Sequence, residues 1–329
     1  MNRLLKVTKR TLIFVLILGI VLEALTLIIR YPNPIASIRL GLAPASKTPT
    51  LMPAHTIEPA TSPIMLPTGN EAAPKSVNFQ GKEISWTEFL DKSHTNAFLI
   101  LRNGVLTYQY YRDGFTPTTR LPSYSVGKTM TSIMIGQLVA SGKIKESDTF
   151  VNFFPEFKTG GTFDQITIQQ LLDMQGGVGV SDNYPTGPQG WGVAIAQMYA
   201  TTDINFFLKH NRKMAFTPGT KSIYRSVDVQ MLGMIIKKVT GMRVADYFSK
   251  NVWQPVGALT PATWNVDRIG GTEKTFCCFN AAAPDYAKVG LMILNNGMTG
   301  DKRIISTDWV KRITTPVEKL DGWGYGALT

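Results

Sequence analysis

A β-hairpin followed closely by a helix is the feature that most restricts the fold of this chain. Ala97–Arg102 and Val105–Tyr111 are largely apolar runs separated by Asn103-Gly104, and Asn-Gly between such runs is a strong hairpin signal. Residues 126–142 then carry apolar side chains at helical spacing and end at a glycine. Further helices are predicted at Ile168–Asp173, Asp228–Val239, Val244–Val252 and Asp285–Leu294. This order predicts an α+β fold with a largely helical half.

An apolar run near the N-terminus predicts a membrane segment. Residues 11–29 are apolar apart from Glu23, and four Lys or Arg side chains precede them. At about 1.5 Å per helical residue, this run nearly spans a bilayer core, and the preceding cations are expected to stay in the cytoplasm. We predict an uncleaved single-pass anchor, residues 1–30, in a bacterial inner membrane. The rest of the chain would lie in the periplasm or outside the cell; a cleaved signal peptide is the alternative.

Residues 31–75 are predicted to form a Pro-rich linker. Nine of the 19 prolines in the chain lie between Pro32 and Pro74, and such composition favours extended, unpacked conformations. The folded domain is therefore expected to begin near Ser76 and to occupy residues 76–329.

The charged and metal-binding residue types exclude several classes of function. Of the formal net charge of +11, residues 1–30 supply five cations and one acid, and the rest is spread without a long basic run. A nucleic-acid-binding surface would more often show clustered Lys and Arg, so no nucleic-acid partner is predicted. The three histidines lie in no recognisable catalytic context, which argues against a Ser-His-Asp triad. No metal-binding spacing is present, and we expect no cofactor.

The only cysteines, Cys277 and Cys278, are adjacent. Neighbouring α-carbons lie about 3.8 Å apart, which is shorter than the usual disulfide span. The pair is interpreted as two small buried apolar residues, with a redox-active pair as the alternative.

Ser125-Val126-Gly127-Lys128 is a Ser-x-x-Lys motif at the start of the predicted helix. Positions i and i+3 share one helix face, so the hydroxyl and the amine can meet. A serine becomes nucleophilic when a base takes its proton, and a buried lysine can be that base. A helix-capping serine beside a solvated lysine is the other interpretation of these residues.

Tyr224-Arg225-Ser226 is the second candidate element. It follows the turn Thr217–Gly219 and precedes a predicted helix, so Tyr224 stands in a loop where it can carry protons. Tyr247-Phe248-Ser249 has the same loose pattern but lies inside a predicted helix. Both tyrosines match the pattern, and Tyr224 is favoured because it lies in a loop before a helix.

With these motifs in place, the chain from about Ala97 onward resembles the β-lactamase-related serine hydrolases, and most closely the 6-aminohexanoate-dimer hydrolases. Class C β-lactamases, D-alanyl carboxypeptidases and family VIII esterases are other members of that group. The segments that resemble the group are LPSYSVGKTMTS, ITIQQLLDMQGGV, FTPGTKSIYRSVDVQMLGMIIKKVTG, VWQPVGA and NAAAPDYAKVGLMILNNG. The resemblance implies a β-lactamase/transpeptidase-like fold, with an antiparallel sheet flanked by helices.

The resemblance also implies roles for individual residues. Ser125 would be acylated, Lys128 would stay within hydrogen-bond reach of it, and Tyr224 would help to move protons. Ser226, Asp182 and Tyr184 would border the substrate. Ser226 stands where class C enzymes usually have Asn, which favours an amidase or esterase over a dedicated β-lactamase.

Two tripeptides imitate class A β-lactamase motifs. Lys158-Thr159-Gly160 and Ser181-Asp182-Asn183 have the right residues, but Lys-Thr-Gly should come last in the chain and on a strand. The resemblance further implies that the chain stops before the C-terminal strands of the sheet, so that only its N-terminal hairpin would remain.

We therefore predict a serine hydrolase that cleaves an amide or ester through an acyl-enzyme on Ser125. If C-terminal strands are missing, activity of the chain as written would be low. The alternative is a non-catalytic, membrane-tethered protein that keeps the fold to bind ligands. A purely structural anchor protein is a third reading, supported by the apolar run alone.

Overall fold

The computed structural model describes the backbone of residues 2–183, 194–320 and 323–329, and the side chains of residues 7–183, 194–317 and 326–329. The α-helices are α1 (Asn2–Ile28), α2 (Pro34–Leu42), α3 (Trp86–Lys92), α4 (Val126–Ala140), α5 (Phe150–Phe153), α6 (Ile168–Leu172), α7 (Ala194–Ala200), α8 (Ile204–His210), α9 (Ser226–Thr240), α10 (Val244–Phe248), α11 (Ala283–Leu294) and α12 (Thr307–Thr314). The strands are β1 (Ala54–Ile57), β2 (Ser76–Phe79), β3 (Lys82–Ser85), β4 (Ala97–Arg102), β5 (Val105–Tyr111), β6 (Arg120–Pro122), β7 (Ala262–Asn265), β8 (Phe279–Ala282), β9 (Met298–Thr299), β10 (Lys302–Arg303), β11 (Glu318–Leu320) and β12 (Trp323–Tyr325).

The β4–β5 hairpin forms as its sequence predicts. Its strands keep the predicted bounds and pair in antiparallel register, with Ala97 opposite Tyr111 and Arg102 opposite Val105. Asn103 and Gly104 both adopt positive φ, at 50° and 82°, which is the geometry that a two-residue hairpin turn requires. The prediction of this hairpin is confirmed.

The helical half is built around α4 and α9, which pack against each other. Ile133 and Ile135 of α4 and Leu232 and Ile235 of α9 are completely buried, so their apolar faces form the centre of the core. Helix α9 is followed by Gly241, whose φ of 68° makes a left-handed C-cap. The α+β class and the helical half are thus confirmed.

A four-stranded antiparallel sheet, in the order β1-β7-β8-β6, contacts α10 and α11. The resemblance implies such a sheet, but these four strands were not predicted individually from their residues. The strands of this sheet have only three or four residues, and all four residues of β8 are buried. Such strands lack the alternation that marks a half-exposed strand. Trp264 and Phe279 from this sheet pack against Phe248 of α10, with ring centroids 5.7 and 5.3 Å from that of Phe248.

The predicted linker differs from what the structure shows. Within residues 31–75, Pro34–Leu42 form α2, and Ala54–Ile57 form β1, which pairs with β7 in the main sheet. Pro53 and Pro59 flank β1 rather than interrupting it, so the ladder keeps its N–H donors. The expectation that packing begins near Ser76 is therefore wrong for β1.

Cys277 and Cys278 are joined by a disulfide and are both buried. Their burial agrees with the interpretation from sequence, whereas the bond between them contradicts it. At the other end of the chain, Val7–Ile28 of α1 are long and apolar enough to cross a bilayer, with a mean hydropathy of 2.7. A signal sequence near an N-terminus has the same properties.

Candidate active site

Ser125 stands between the sheet and the first turn of α4. Strand β6 delivers the chain to Ser123, whose backbone N–H donates to the Phe279 carbonyl at 2.8 Å. Tyr124 then adopts a left-handed φ of 42°, which is uncommon for a large side chain and is often found at functional turns. This sharp turn places Ser125 at the helix start, where free backbone N–H groups converge.

Lys128 lies one helical turn beyond Ser125 and faces it. Its side chain is only 2% exposed, and its Nζ donates to Ser125 Oγ at 3.1 Å and to the Phe276 carbonyl at 2.8 Å. Burial lowers the pKa of Lys128 to about 8, while the negative charge of Asp182 acts in the opposite direction. Lys128 can therefore be a neutral amine near physiological pH.

Tyr224 reaches Ser125 from the loop that precedes α9. Its Oη donates to Ser125 Oγ at 2.7 Å, and the Lys128 Nζ lies 4.8 Å from the centre of its ring. Burial raises the pKa of Tyr224, and the hydrogen bond to Ser125 partly opposes that shift. The phenol therefore keeps its proton under conditions in which Lys128 can lose one.

Asp182 and Ser226 form a second pair at the edge of the same cleft. Asp182 Oδ1 accepts from the Ser226 backbone N–H at 2.9 Å, and Oδ2 accepts from Ser226 Oγ at 2.5 Å. Because Ser226 is the first residue of α9, the carboxylate lies at a helix N-terminus, where a negative charge is favoured.

The loop that carries Asp182 is attached to α9 through Asp228. This carboxylate is fully buried, and its Oδ2 accepts from the Gly176 backbone N–H at 3.1 Å. Burial raises the pKa of Asp228 to about 8, and the hydrogen bond from Gly176 acts against the rise. A Cβ at residue 176 would come within 2.6 Å of Asp228 Oδ1, so the close approach requires glycine.

The groups around Ser125 line a cleft of about 530 Å³. Its inner side carries Ser125, Lys128 and Tyr224, with Asp182 and Ser226 at one edge. Its outer side is formed by residues 43–48, which come directly after α2 and contribute Ala43, Ala45 and Thr48. A larger cavity of about 780 Å³ borders Ser46–Thr50 but includes none of the predicted site residues.

Five of the six predicted site residues thus line one cleft: Ser125, Lys128, Tyr224, Asp182 and Ser226. The sixth, Tyr184, lies outside the described residues. The Lys158–Gly160 tripeptide is in a loop, where the Thr159 and Gly160 N–H groups donate to Asp164, in agreement with the view that it is no β-lactamase motif.

Sequence reasoning missed two contributors to the site. The Phe276 carbonyl fixes the Lys128 amine, and a backbone carbonyl leaves no signature in a sequence. Tyr124 donates from Oη to the Ala45 carbonyl at 2.8 Å and so attaches the outer side of the cleft. Its position immediately before Ser125 is the signal that could have identified it.

The arrangement can perform acyl transfer. It provides a hydroxyl with two partners within hydrogen-bond distance of it, an amine that can be neutral and a protonated phenol. Within the described residues, no group of three or more His, Cys, Asp or Glu side chains is placed to hold a metal ion.

Residues 89–314 match the protein family described as Beta-lactamase, and this match covers more than half of the chain. The chain belongs to the beta-lactamase family. Members of this family are serine hydrolases that act on amides and esters.

Individual relatives agree with this assignment. The chain is 29% identical over 233 residues to 6-aminohexanoate-dimer hydrolase of Paenarthrobacter ureafaciens, covering 68% of this chain and 58% of that protein. It therefore spans less than two thirds of this curated relative. A candidate 6-aminohexanoate-dimer hydrolase from Bacillus anthracis has the same fold, with a TM-score of 0.75, 23% identity and coverage of 90% of this chain and 80% of that one. A penicillin-binding protein homologue from Pyrococcus abyssi also shares the fold, with a TM-score of 0.58, 20% identity and coverage of 74% and 62%.

Proposed function

We propose that this beta-lactamase family protein is a serine hydrolase that cleaves an amide or ester bond through an acyl-enzyme on Ser125. The observation that carries the proposal is the convergence of Lys128 Nζ and Tyr224 Oη on Ser125 Oγ, at 3.1 and 2.7 Å. A serine that only caps a helix needs neither contact. The relative named 6-aminohexanoate-dimer hydrolase supports assignment to the hydrolases.

Acylation follows from the protonation states of the three groups. The neutral Lys128 amine takes the proton of Ser125, and Oγ forms a bond to the substrate carbonyl carbon. The tetrahedral intermediate then loses the alcohol or amine, which leaves with a proton that passes from Lys128 through Tyr224. Water then attacks the acyl-enzyme while Lys128 and Tyr224 take its proton. The proton passes to Ser125 Oγ as the bond to the acyl group breaks, and a carboxylic acid is released.

Two features of the cleft support this chemistry. The Ser125 backbone N–H at the start of α4 is positioned to donate to the developing oxyanion. Asp182 and Ser226, fixed to each other by two hydrogen bonds, border the substrate and present a negative charge near the leaving group.

Covalent labelling tests the nucleophile. A fluorophosphonate probe should attach one phosphonyl group to Ser125, identified by mass spectrometry of the labelled peptide. Ser125→Ala should abolish labelling, whereas Ser181→Ala, in the loop beside Asp182, should retain it. Absence of labelling in the folded protein would favour the non-catalytic ligand-binding alternative, and labelling at Ser181 would contradict the assignment.

We further propose that α1 is a single-pass anchor and that the hydrolase domain lies outside the inner membrane. The apolar span Val7–Ile28 with basic residues on its N-terminal side supports this orientation. A reporter fused after Ser76 should be active only as a reporter of the external compartment. Cytoplasmic reporter activity would contradict the proposal.

A further inference from the structure

The chain remains in contact with the domain where it leaves the apolar span. The Arg30 carbonyl, two residues beyond α1, accepts from the Thr202 backbone N–H at 2.9 Å and from Thr201 Oγ1 at 3.0 Å. The Arg30 guanidinium lies 5.8 Å from the ring centre of Phe206. These contacts leave only two residues between α1 and the domain. If α1 spans a bilayer, the domain must therefore lie on the membrane surface.

Helix α2, which follows immediately, has two different sides. Ala36 and Leu40 line a cavity against the domain. Ile35, Ile38 and Leu42 lie on the other side and are among the most exposed apolar side chains outside α1, at 73%, 50% and 73%. Residues at this spacing share one helix face. A helix next to a membrane that turns an apolar face away from its own domain is typical of helices that lie in the membrane interface.

A further exposed apolar side chain lies near Arg30, where the chain leaves α1. Ile269 is 92% exposed in the turn where Gly271 N–H donates to the Arg268 carbonyl. The guanidinium of Arg268 donates to the Thr202 carbonyl at 2.9 Å, so this turn is joined to the residue that holds Arg30. We call Ile35, Ile38, Leu42 and Ile269 the membrane-proximal face.

Charge is consistent with a lipid surface at this face. Arg39 is exposed on α2 between Ile38 and Leu42, whereas Arg268, half-exposed beside Ile269, is ion-paired with Asp203 and Asp267. Basic side chains that flank inserted apolar residues are attracted to anionic lipid headgroups.

The membrane-proximal face is continuous with the Ser125 cleft. Ala43, the first residue after α2, already lines that cleft, and Ala45 follows. The outer wall of the cleft therefore begins where helix α2 ends. Val126, next to Ser125 in the chain, is 54% exposed, and Ile223, next to Tyr224 in the chain, is exposed as well.

We propose that the membrane-proximal face rests in the lipid surface and that the substrate of the Ser125 site is a membrane-resident amphiphile whose ester or amide bond lies at headgroup depth. This inference rests on the proposed function and on the proposed anchor. In this proposal, α2 binds the lipid surface and so holds the cleft close to its substrate, in addition to connecting the anchor to the domain.

The contact with lipid can be tested without catalysis. The full chain is reconstituted in vesicles of phosphatidylethanolamine and phosphatidylglycerol, with an environment-sensitive NBD label at Ile38→Cys or Ile269→Cys. Cys277 and Cys278 are paired with each other, so the introduced thiol takes the label. Blue-shifted emission that is quenched by lipid-bound quenchers is expected at both sites. Leu294→Cys, an apolar position on α11 whose exposure of 78% lies between those of Ile38 and Ile269, should remain in water. Identical emission at all three sites would overturn the proposal.

The substrate class is tested with two esters in the same vesicles. The variant Ile35→Ser/Ile38→Ser/Leu42→Ser should lose about tenfold in hydrolysis of a long-chain p-nitrophenyl ester dissolved in the lipid, because its cleft is no longer seated in the surface. It should hydrolyse water-soluble p-nitrophenyl acetate as the unsubstituted chain does. Leu294→Ser should change neither rate. Equal loss on both esters, or no loss on either, would overturn the inference. Failure of the unsubstituted chain to hydrolyse p-nitrophenyl acetate would instead reject the proposed function.

Discussion

The two sides of the Ser125 cleft are held in different ways. The inner side belongs to the core: Lys128 is buried in α4 and bonded to the Phe276 carbonyl, and α4 packs on α9. The outer side, residues 43–48, is partly exposed, with Thr48 buried, and is attached near the cleft through the Tyr124 hydroxyl. The reacting groups are thus fixed by the core, whereas access to them depends on the N-terminal segment. Substitutions on the two sides should therefore affect different kinetic constants.

Removing the amine on the inner side should have the largest effect. Lys128→Met keeps most of the buried volume but removes the proton acceptor, so the rate of Ser125 labelling should fall by about 10²- to 10⁴-fold. The measurement is the second-order rate of reaction with a fluorophosphonate, with thermal unfolding as a check on folding. Lys143→Met, at an exposed lysine just beyond α4, is the matched control. An unchanged rate in Lys128→Met would show that another group activates Ser125.

How far the inner side could be predicted depends on the kind of contact. Ser125 and Lys128 followed from helical spacing, because they are three residues apart in one helix. Tyr224 followed from its place between a turn and a helix, although it lies 99 residues from Ser125 in the chain. The Phe276 carbonyl is 148 residues from Lys128 in the chain. No local pattern reports such a contact.

The residues that follow the outer side, from Pro49 to Ile57, show why composition misled the interpretation of the N-terminal segment. Its prolines predicted an unpacked linker, yet β1 carries Ile57, which is completely buried, and a buried His55 whose Nδ1 lies 2.8 Å from Glu273 Oε1. Asn265 of β7 also donates from Nδ2 to the Pro49 and Met52 carbonyls. Long-range pairing of a four-residue strand overrides local propensity, and a single sequence gives no means to see the partner strand.

The pH dependence of acylation tests the electrostatics of the inner side. Because burial lowers the pKa of Lys128 to about 8, the neutral fraction of the amine, which acts as the base, decreases as the pH falls below that value. Labelling should rise by about tenfold per pH unit below this value and level off above it. A rate that falls as the pH rises from 6 to 9 would contradict the role of Lys128 as the base.

Asp182 provides the sharper form of that test. Its negative charge raises the pKa of Lys128, so Asp182→Asn should move the midpoint of the pH profile to lower pH. Asp164→Asn, in the exposed loop bonded to Thr159, should leave the midpoint in place. Both variants are followed by the same labelling reaction across the pH range.

A substitution at the outer side should have the smallest effect, and it should change KM rather than kcat. Tyr124→Phe removes the hydroxyl that donates to the Ala45 carbonyl at 2.8 Å and lies 3.3 Å from Thr48 Oγ1, but it keeps the ring beside Ser125. Losing a hydrogen bond of about 1 kcal/mol should raise KM for an ester substrate about fivefold. We expect kcat to stay unchanged, because Lys128 and Tyr224 do not contact residues 43–48 through this hydroxyl. Tyr110→Phe on the β4–β5 hairpin is the control. A fall in kcat at constant KM would show instead that Tyr124 supports the nucleophile, and the division between a fixed inner side and an adjustable outer side would not hold.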